Sequence, residues 1–443
     1  MNYPKTSNCK SLVEQIEYYS QLKHEYGARG ISPLLTGTER ILKSVLARMQ
    51  KLPIDQSLAQ QEPNDLRAIR SLRPSGPRRL WKRFDPAAYR DRIEGALLGR
   101  FAGCTLGVSV ENWTIENMEN LAKENGEPFP PEDYWTHVPF PYSEHCRRRP
   151  DEKSRRKGCR WEFYTRHKLN GVPMDDDTIY TLLGLLTAEQ FGLGFSIEDN
   201  GKAWLKFLPF GCSAEDMALK NLKAGVLAAK AGEKDNPYCE WIGADIRADP
   251  WGYMAPGWPE KATEMAYRDA YLSHRRNGIY GEMFFAATIA AAFAVNDPVE
   301  ALKIGLTEIP RDCALAKAVR WAFQQAPRIK NYRQAREAVD RHFAGMHAVH
   351  TINNACLTIW GIMIGGTDFT KVIGETVAMG LDNDCTAATA GSIVGAVIGK
   401  KGIPQHWYRS FHNTVHSYLI GKPKFRIDDL VKRFEKQAER IYT

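Results

Sequence analysis

The chain contains no C-x-x-C pair. Its nine cysteines (Cys9, Cys104, Cys146, Cys159, Cys212, Cys239, Cys313, Cys356 and Cys385) are odd in number and scattered. That argues against a disulfide framework and against a cysteine-rich zinc site, and it reads as reduced thiols in a cytoplasm. There is no H-E-x-x-H, which excludes a zincin, and no D-x-D-x-D-G loop of the EF-hand type. No run of about 18 uncharged apolar residues is present, so no membrane-spanning helix is expected. The opening MNYPKTSNCK has no apolar core of the kind a secretory signal needs. Alternating β-branched and aromatic runs are sparse, which excludes a mainly β fold. The composition is 43% hydrophobic and 25% charged over 443 residues. It excludes a disordered or collagenous chain and leaves ample material for a core without cross-links, with two to three domains as a length-based prior. A formal charge of +8 is mild and compatible with an anionic ligand.

Residues 1–86 read as a helical extension followed by a basic connector. Leu12, Ile16, Tyr19 and Leu22 form one stripe over Ser11–Tyr26, and a second helical pattern opens at Thr38. The basic run through Arg67, Arg70, Arg73, Arg78, Arg79, Lys82 and Arg83 reads as a solvated linker rather than a nucleic-acid surface. Residues 87–443 read as one helical domain, with 112–172 an inserted surface loop. That loop carries the basic knot HCRRRPDEKSRRKGCR, which also reads as solvated. The fold class expected is all-α.

Gly95, Gly99, Gly103 and Gly107 recur every four residues, and Gly391, Gly395 and Gly399 repeat the device near the other end. On a helix such residues share one face. Each costs about 1 kcal/mol in helix propensity against alanine, a cost tolerated where another backbone comes very close. Two tightly packed central helices are expected.

The strongest local signal is Asp175-Asp176-Asp177, followed at once by an apolar helical run. The helix dipole and unpaired N–H groups offset only part of the repulsion among three carboxylates. A second acidic turn, Asp382-Asn383-Asp384, opens the glycine-striped helix near the C-terminus. Carboxylates converging from two helix starts suit hard divalent cations, magnesium, manganese or calcium, rather than zinc or copper.

At these residues the chain resembles the ADP-ribosylglycohydrolase family. RIEGALLGRFAGCTLGVSVE (92–111) is similar to its opening helix and glutamate, MDDDT (174–178) to its T-D-D-T block, and GLDNDCTAATAGSIVGA (380–396) to its closing block. GADIRADPWGYMAPG followed by Ser273-His274 resembles its central arginine and Thr-His segment. The resemblance implies a compact multi-helix fold with two magnesium or manganese ions at the base of a cleft. It implies Asp176, Asp177, Asp382 and Asp384 as ligands, with Glu111 beside them as general base or water-positioner. Asp175 stands where the family usually has a threonine ligand and becomes a fifth candidate; Cys385 replaces a hydroxyl ligand and Cys104 an aspartate. In this reading Glu111, Asp177 and Asp384 are the catalytic set, and Ser273, His274, Asn277 and Gly278 contact substrate.

The implied reaction is hydrolysis at the anomeric carbon of an ADP-ribosyl or related ribosyl conjugate, through an oxocarbenium-like transition state. Its partner is a small-molecule or protein-linked ADP-ribose-type substrate, with no membrane and no nucleic acid. Alternatives are a metal-dependent glycosidase for nucleosides or other sugars, an inactive ADP-ribose-binding relative, and a cysteine hydrolase built on Cys385. Among the bland readings, His274 is a structural histidine, Arg247 and Asp249 form an ion pair, and Asn353 or Asn354 caps the helix that follows.

Overall fold

The glycine stripes meet. The helix Pro86–Gly107 starts cleanly because Asp85 accepts from the backbone N–H groups of Ala87 and Ala88 at 3.0 and 3.1 Å and proline occupies its first turn. In the computed structural model, which describes residues 3–4, 6–138 and 161–443, it runs antiparallel to the helix Asn383–Ile398. Gly95 faces Gly395, Gly99 faces Gly391 and Gly103 faces Ala387; a Cβ at any of these three glycines would land on the backbone carbonyl of the other helix. This is the most extensive helix–helix contact among the described residues. Pro86–Val110 is long and apolar enough to cross a membrane by composition, but 94% of its most apolar window is buried inside the fold.

Helices Asn277–Ala292, Thr351–Gly365 and Phe369–Ala378 pack around this pair, and all three are apolar over most of their faces. The one strand pair among the described residues is Thr414–His416 against Lys424–Arg426, antiparallel, with Val415 opposite Phe425. The all-α expectation therefore holds.

Several elements differ from the sequence reading. The pattern over 213–230 breaks after Lys223, where Gly225 takes φ +78°. Ile197–Phe207 is an unexpected helix, masked in sequence by Asn200 and Gly201 but marked by a capping box between Ser196 and Asp199. The stretch 112–172 is not all loop: Ile115–Asn125 is a helix capped by Thr114, with Ile115, Met118 and Leu121 buried. The basic knot 145–160 lies outside the described residues.

The chain divides into two compact units, Met1–Gln60 and Gln61–Thr443. The smaller holds helices Ser7–Glu25 and Ile31–Met49; the second begins earlier than Thr38, and none of its residues is buried. In the larger unit the basic run is not a solvated linker. Arg73 pairs with Glu260 at 2.9 Å and with Glu308, Arg78 with Glu308 at 2.9 Å, and Arg79 lies 3.9 Å over the ring of Trp258. Arg67, Lys82 and Arg83 stay exposed. A lone glutamate as buried as Glu308 would be costly, which is why two arginines are drawn onto it.

Candidate metal centre

Two helix starts converge. Asp175 occupies the N-cap of Asp176–Phe191 and accepts from the backbone N–H of Asp177 at 3.0 Å. Asp382 occupies the N-cap of Asn383–Ile398 but makes no capping bond through its side chain. The turn before it passes through two left-handed residues, Gly380 at φ +71° and Leu381 at φ +59°. Leu381 is strained there, and its carbonyl accepts from the N–H of Asn112 at 2.9 Å. This bond ties the Glu111 segment to the acidic turn. Asn354 holds the turn from beneath: its Oδ1 accepts from the Asp382 N–H at 3.3 Å while its Nδ2 donates to the carbonyls of Ala348 and His350. Gly107 completes the approach. A side chain there would lie 2.5 Å from the Asp384 backbone.

The result is two carboxylate triads that share one residue. Glu111, Asp382 and Asp384 bring ligand oxygens within 4.8 Å of one another, and so do Asp175, Asp177 and Asp384. All of these residues are buried except Glu111, which is half-buried. Burial, and then the neighbouring carboxylates, push the acids of Asp177, Asp382 and Asp384 well above the usual carboxylate range. Asp177 Oδ1 and Asp384 Oδ1 are buried with no hydrogen-bond partner. Unpaired oxygens in such a place cost stability unless something positive meets them, so the donor set fits a hard divalent cation.

Arg100, fully buried on the opening helix, borders this cluster. It donates to the carbonyls of Asp177 and Ile246 and, at 2.7 Å, to Asp249 Oδ2; its nearest approach to the Asp177 carboxylate is 3.6 Å. The guanidinium is therefore committed, and it fixes the Asp177 backbone rather than neutralising the cluster. Asp249 pairs with Arg100 and not with Arg247, which corrects the expected Arg247–Asp249 ion pair. Arg247 instead joins Glu215 at 2.5 Å, Asp269 at 2.6 Å and Glu282 at 3.4 Å.

The structure places the remaining expected residues as follows. Asp176 is half-buried and joins neither triad, although its charge reaches Asp177 and Asp382. Ser273, His274, Asn277 and Gly278 are buried, and none enters a triad. Ser273 Oγ and His274 Nδ1 are 2.8 Å apart, and His274 Nε2 lies 4.0 Å from Glu215. Burial, with Arg247 and Arg275 nearby, holds the His274 pKa well below its usual value, so the ring is neutral. Asn277 Nδ2 donates to Glu62 and Glu240 at 3.0 Å, and its Oδ1 accepts from the Leu315 N–H. His350, rather than Asn353 or Asn354, caps the helix Thr351–Gly365.

Cys104 and Cys385 both lie against the acids. Burial, reinforced by neighbouring aspartates, pushes both thiols well up, so neither is a thiolate nucleophile. Asp245 was not singled out in sequence. It is buried, accepts from the Thr351 hydroxyl through Oδ2, leaves Oδ1 unpartnered, and feels the charge of Asp382. The sequence signals for Arg100 and Asp245 were a lone charge in an apolar glycine helix and an acid in a tryptophan-flanked loop.

The fold and this floor of carboxylates define an all-helical protein with an acidic, cation-suited centre between two helix starts. The model of the ADP-ribosylglycohydrolase family matches residues 85–441, and the chain belongs to that family. Among solved structures, one described as an ADP-ribosylglycohydrolase-related protein complex is similar in fold: TM-score 0.53 and 20% identity, covering 81% of this chain and 100% of that one. No curated protein matches the chain.

Proposed function

We propose that this chain is a metal-dependent hydrolase that cleaves the glycosidic bond at the anomeric carbon of an ADP-ribosyl conjugate. The observation that carries this reading is the pair of triads joined at Asp384 with its buried, unpartnered oxygen. Glu111, Asp382 and Asp384 would hold one ion and Asp175, Asp177 and Asp384 a second. Bound magnesium or manganese would supply Lewis acidity toward the sugar hydroxyls and lower the pKa of an attacking water.

The chain's own part is positioning and charge. Glu111 is the most exposed member of its triad and receives a hydrogen bond from Asn112 Nδ2 at 3.0 Å. It is placed to orient water and to accept a proton from it at a carboxylate oxygen. The negative floor favours positive charge developing at the anomeric carbon. Asn112, Asn354 and Arg100 act as positioning residues, because each fixes the backbone of a ligand-bearing turn.

The experiment is release of free ADP-ribose from a panel of arginine-, serine- and acyl-linked conjugates, with magnesium and after chelation. Metal-dependent release from at least one conjugate is expected, and Asp382→Ala should abolish it and weaken metal binding. Turnover of simple ribosides alone, or binding of ADP-ribose with no turnover of any conjugate, would overturn the proposal. So would metal affinity in Asp382→Ala equal to that of the parent.

A further inference from the structure

The unit Met1–Gln60 lies outside the region that matches the family, which begins at residue 85. Its two long helices, Ser7–Glu25 and Ile31–Met49, are joined by a short connection and touch each other. Even so, no residue of the second is buried. Leu35, Thr38, Leu42, Val45 and Met49 follow the alternating spacing of three and four residues that builds a coiled-coil seam, and Leu34 and Ile41 widen it. On the first helix Leu12, Val13 and Tyr19 are 47–61% exposed. Two helices alone bury too little to hold this arrangement in water.

We infer that this unit is a self-association module, in which the helical pair of one chain packs against that of a second copy as a four-helix bundle. Two observations favour a copy of the same chain over another occupant. The first is area. Eleven large apolar side chains on the two helices are each at least 39% exposed. At roughly 100 Å² apiece they offer on the order of 1,000 Å² per copy, against about 800 Å² per partner in a standard interface and a few hundred Å² for the largest patch on a typical monomer. The second is charge. The first helix carries Glu14, Glu17 and Glu25 against Lys10 and Lys23, a net of −1; the second carries Arg40, Lys43 and Arg48 against Glu39, a net of +2. Each helix therefore finds its complement on the other helix of an identical chain, which is what a two-fold, self-complementary interface requires. Four helices in this arrangement close an apolar core that two leave open.

The test is sedimentation equilibrium of the full chain across the micromolar range. The parent should run at twice the chain mass of 50.1 kDa. Full-length Leu42→Glu/Val45→Glu places two carboxylates in the seam and should weaken association by at least about 100-fold. Its main thermal transition, which reports the larger unit, should be unchanged. Full-length Leu42→Ile should stay dimeric. A monomeric parent overturns the inference, and one that co-sediments with phosphatidylcholine vesicles overturns it in favour of a lipid surface. A double-glutamate variant that remains dimeric also overturns it, because association would then run through another face.

Discussion

Around Arg247, three buried carboxylates share one guanidinium; at the paired helix starts, buried carboxylate oxygens of Asp177 and Asp384 stand unpartnered. In the first cluster nearly every polar atom is used. Asp269 also accepts from Asn200 at 2.7 Å, Glu282 accepts from the Trp251 indole at 2.9 Å, and the guanidinium lies over the rings of Trp204 and Tyr180. In the second, Asp177 Oδ1 and Asp384 Oδ1 have no partner, and Arg100 is already bound to Asp249 and to backbone carbonyls. The fold thus neutralises buried acids internally in one place and leaves the oxygens of Asp177 and Asp384 unmatched in another. Closed clusters hold helices together, whereas an open one is built for something that comes from outside.

The contrast can be broken by mutation. Arg247→Met leaves three acids without their cation and should cost about 3–5 kcal/mol, or prevent folding, as read by urea denaturation. If stability is unchanged, the Arg247 cluster is not structural. Asp384→Asn should act in the opposite sense. It should lower kcat by about 10²–10³-fold, the size of losing one electrostatic stabiliser, while the Tm of the ion-free protein stays level or rises because a like charge has gone. A fall in the ion-free Tm would mean that Asp384 has a structural partner.

A smaller effect is expected where the scaffold meets the site. Gly99→Ala drives a Cβ into the Gly391 carbonyl and should cost about 1–3 kcal/mol. Gly194→Ala, with nothing within 4 Å of its added carbon, should be close to neutral and serves as the control. Equal costs at the two positions would deny the close helix approach.

The smallest effect is a pH dependence. The acids of Asp177, Asp382 and Asp384 are raised in the folded chain, first by burial and then by one another. Groups raised in this way favour the folded state below their unfolded pKa, and that contribution is lost as pH rises through the folded values. Cations compete with the same protons. The gain in Tm on adding magnesium should therefore be larger near about pH 8 than near about pH 5.5 by differential scanning fluorimetry. Equal gains at both would remove proton competition from the site.

Much of this arrangement could be read in the chain itself. Four-residue glycine spacing announced the tightly packed central pair, though not its antiparallel sense, and acids before apolar runs announced the two helix starts. What the sequence hid was partner choice. Arg247 and Asp249 look like neighbours, yet residues two apart on helical turns do not face each other, so Arg247 turned to three distant acids and Asp249 to Arg100. Where the segment beginning at Ser273 lies could not be read from its motif, because Asn277 is held by Glu62 and Glu240, both remote in sequence. Within the aspartate run, cap geometry decided which acids turn inward. Asp175 and Asp177 enter a triad, while Asp176, on the intervening side of the first turn, does not.

The most direct measurement is anomalous diffraction from crystals of the full chain soaked in manganese. Two peaks are expected, one against Glu111, Asp382 and Asp384 and the other against Asp175, Asp177 and Asp384, with the Asp384 carboxylate between them. Anomalous density that is absent from these residues, or that appears instead beside the acids of the Arg247 cluster, would contradict the claim that the open cluster is the cation site.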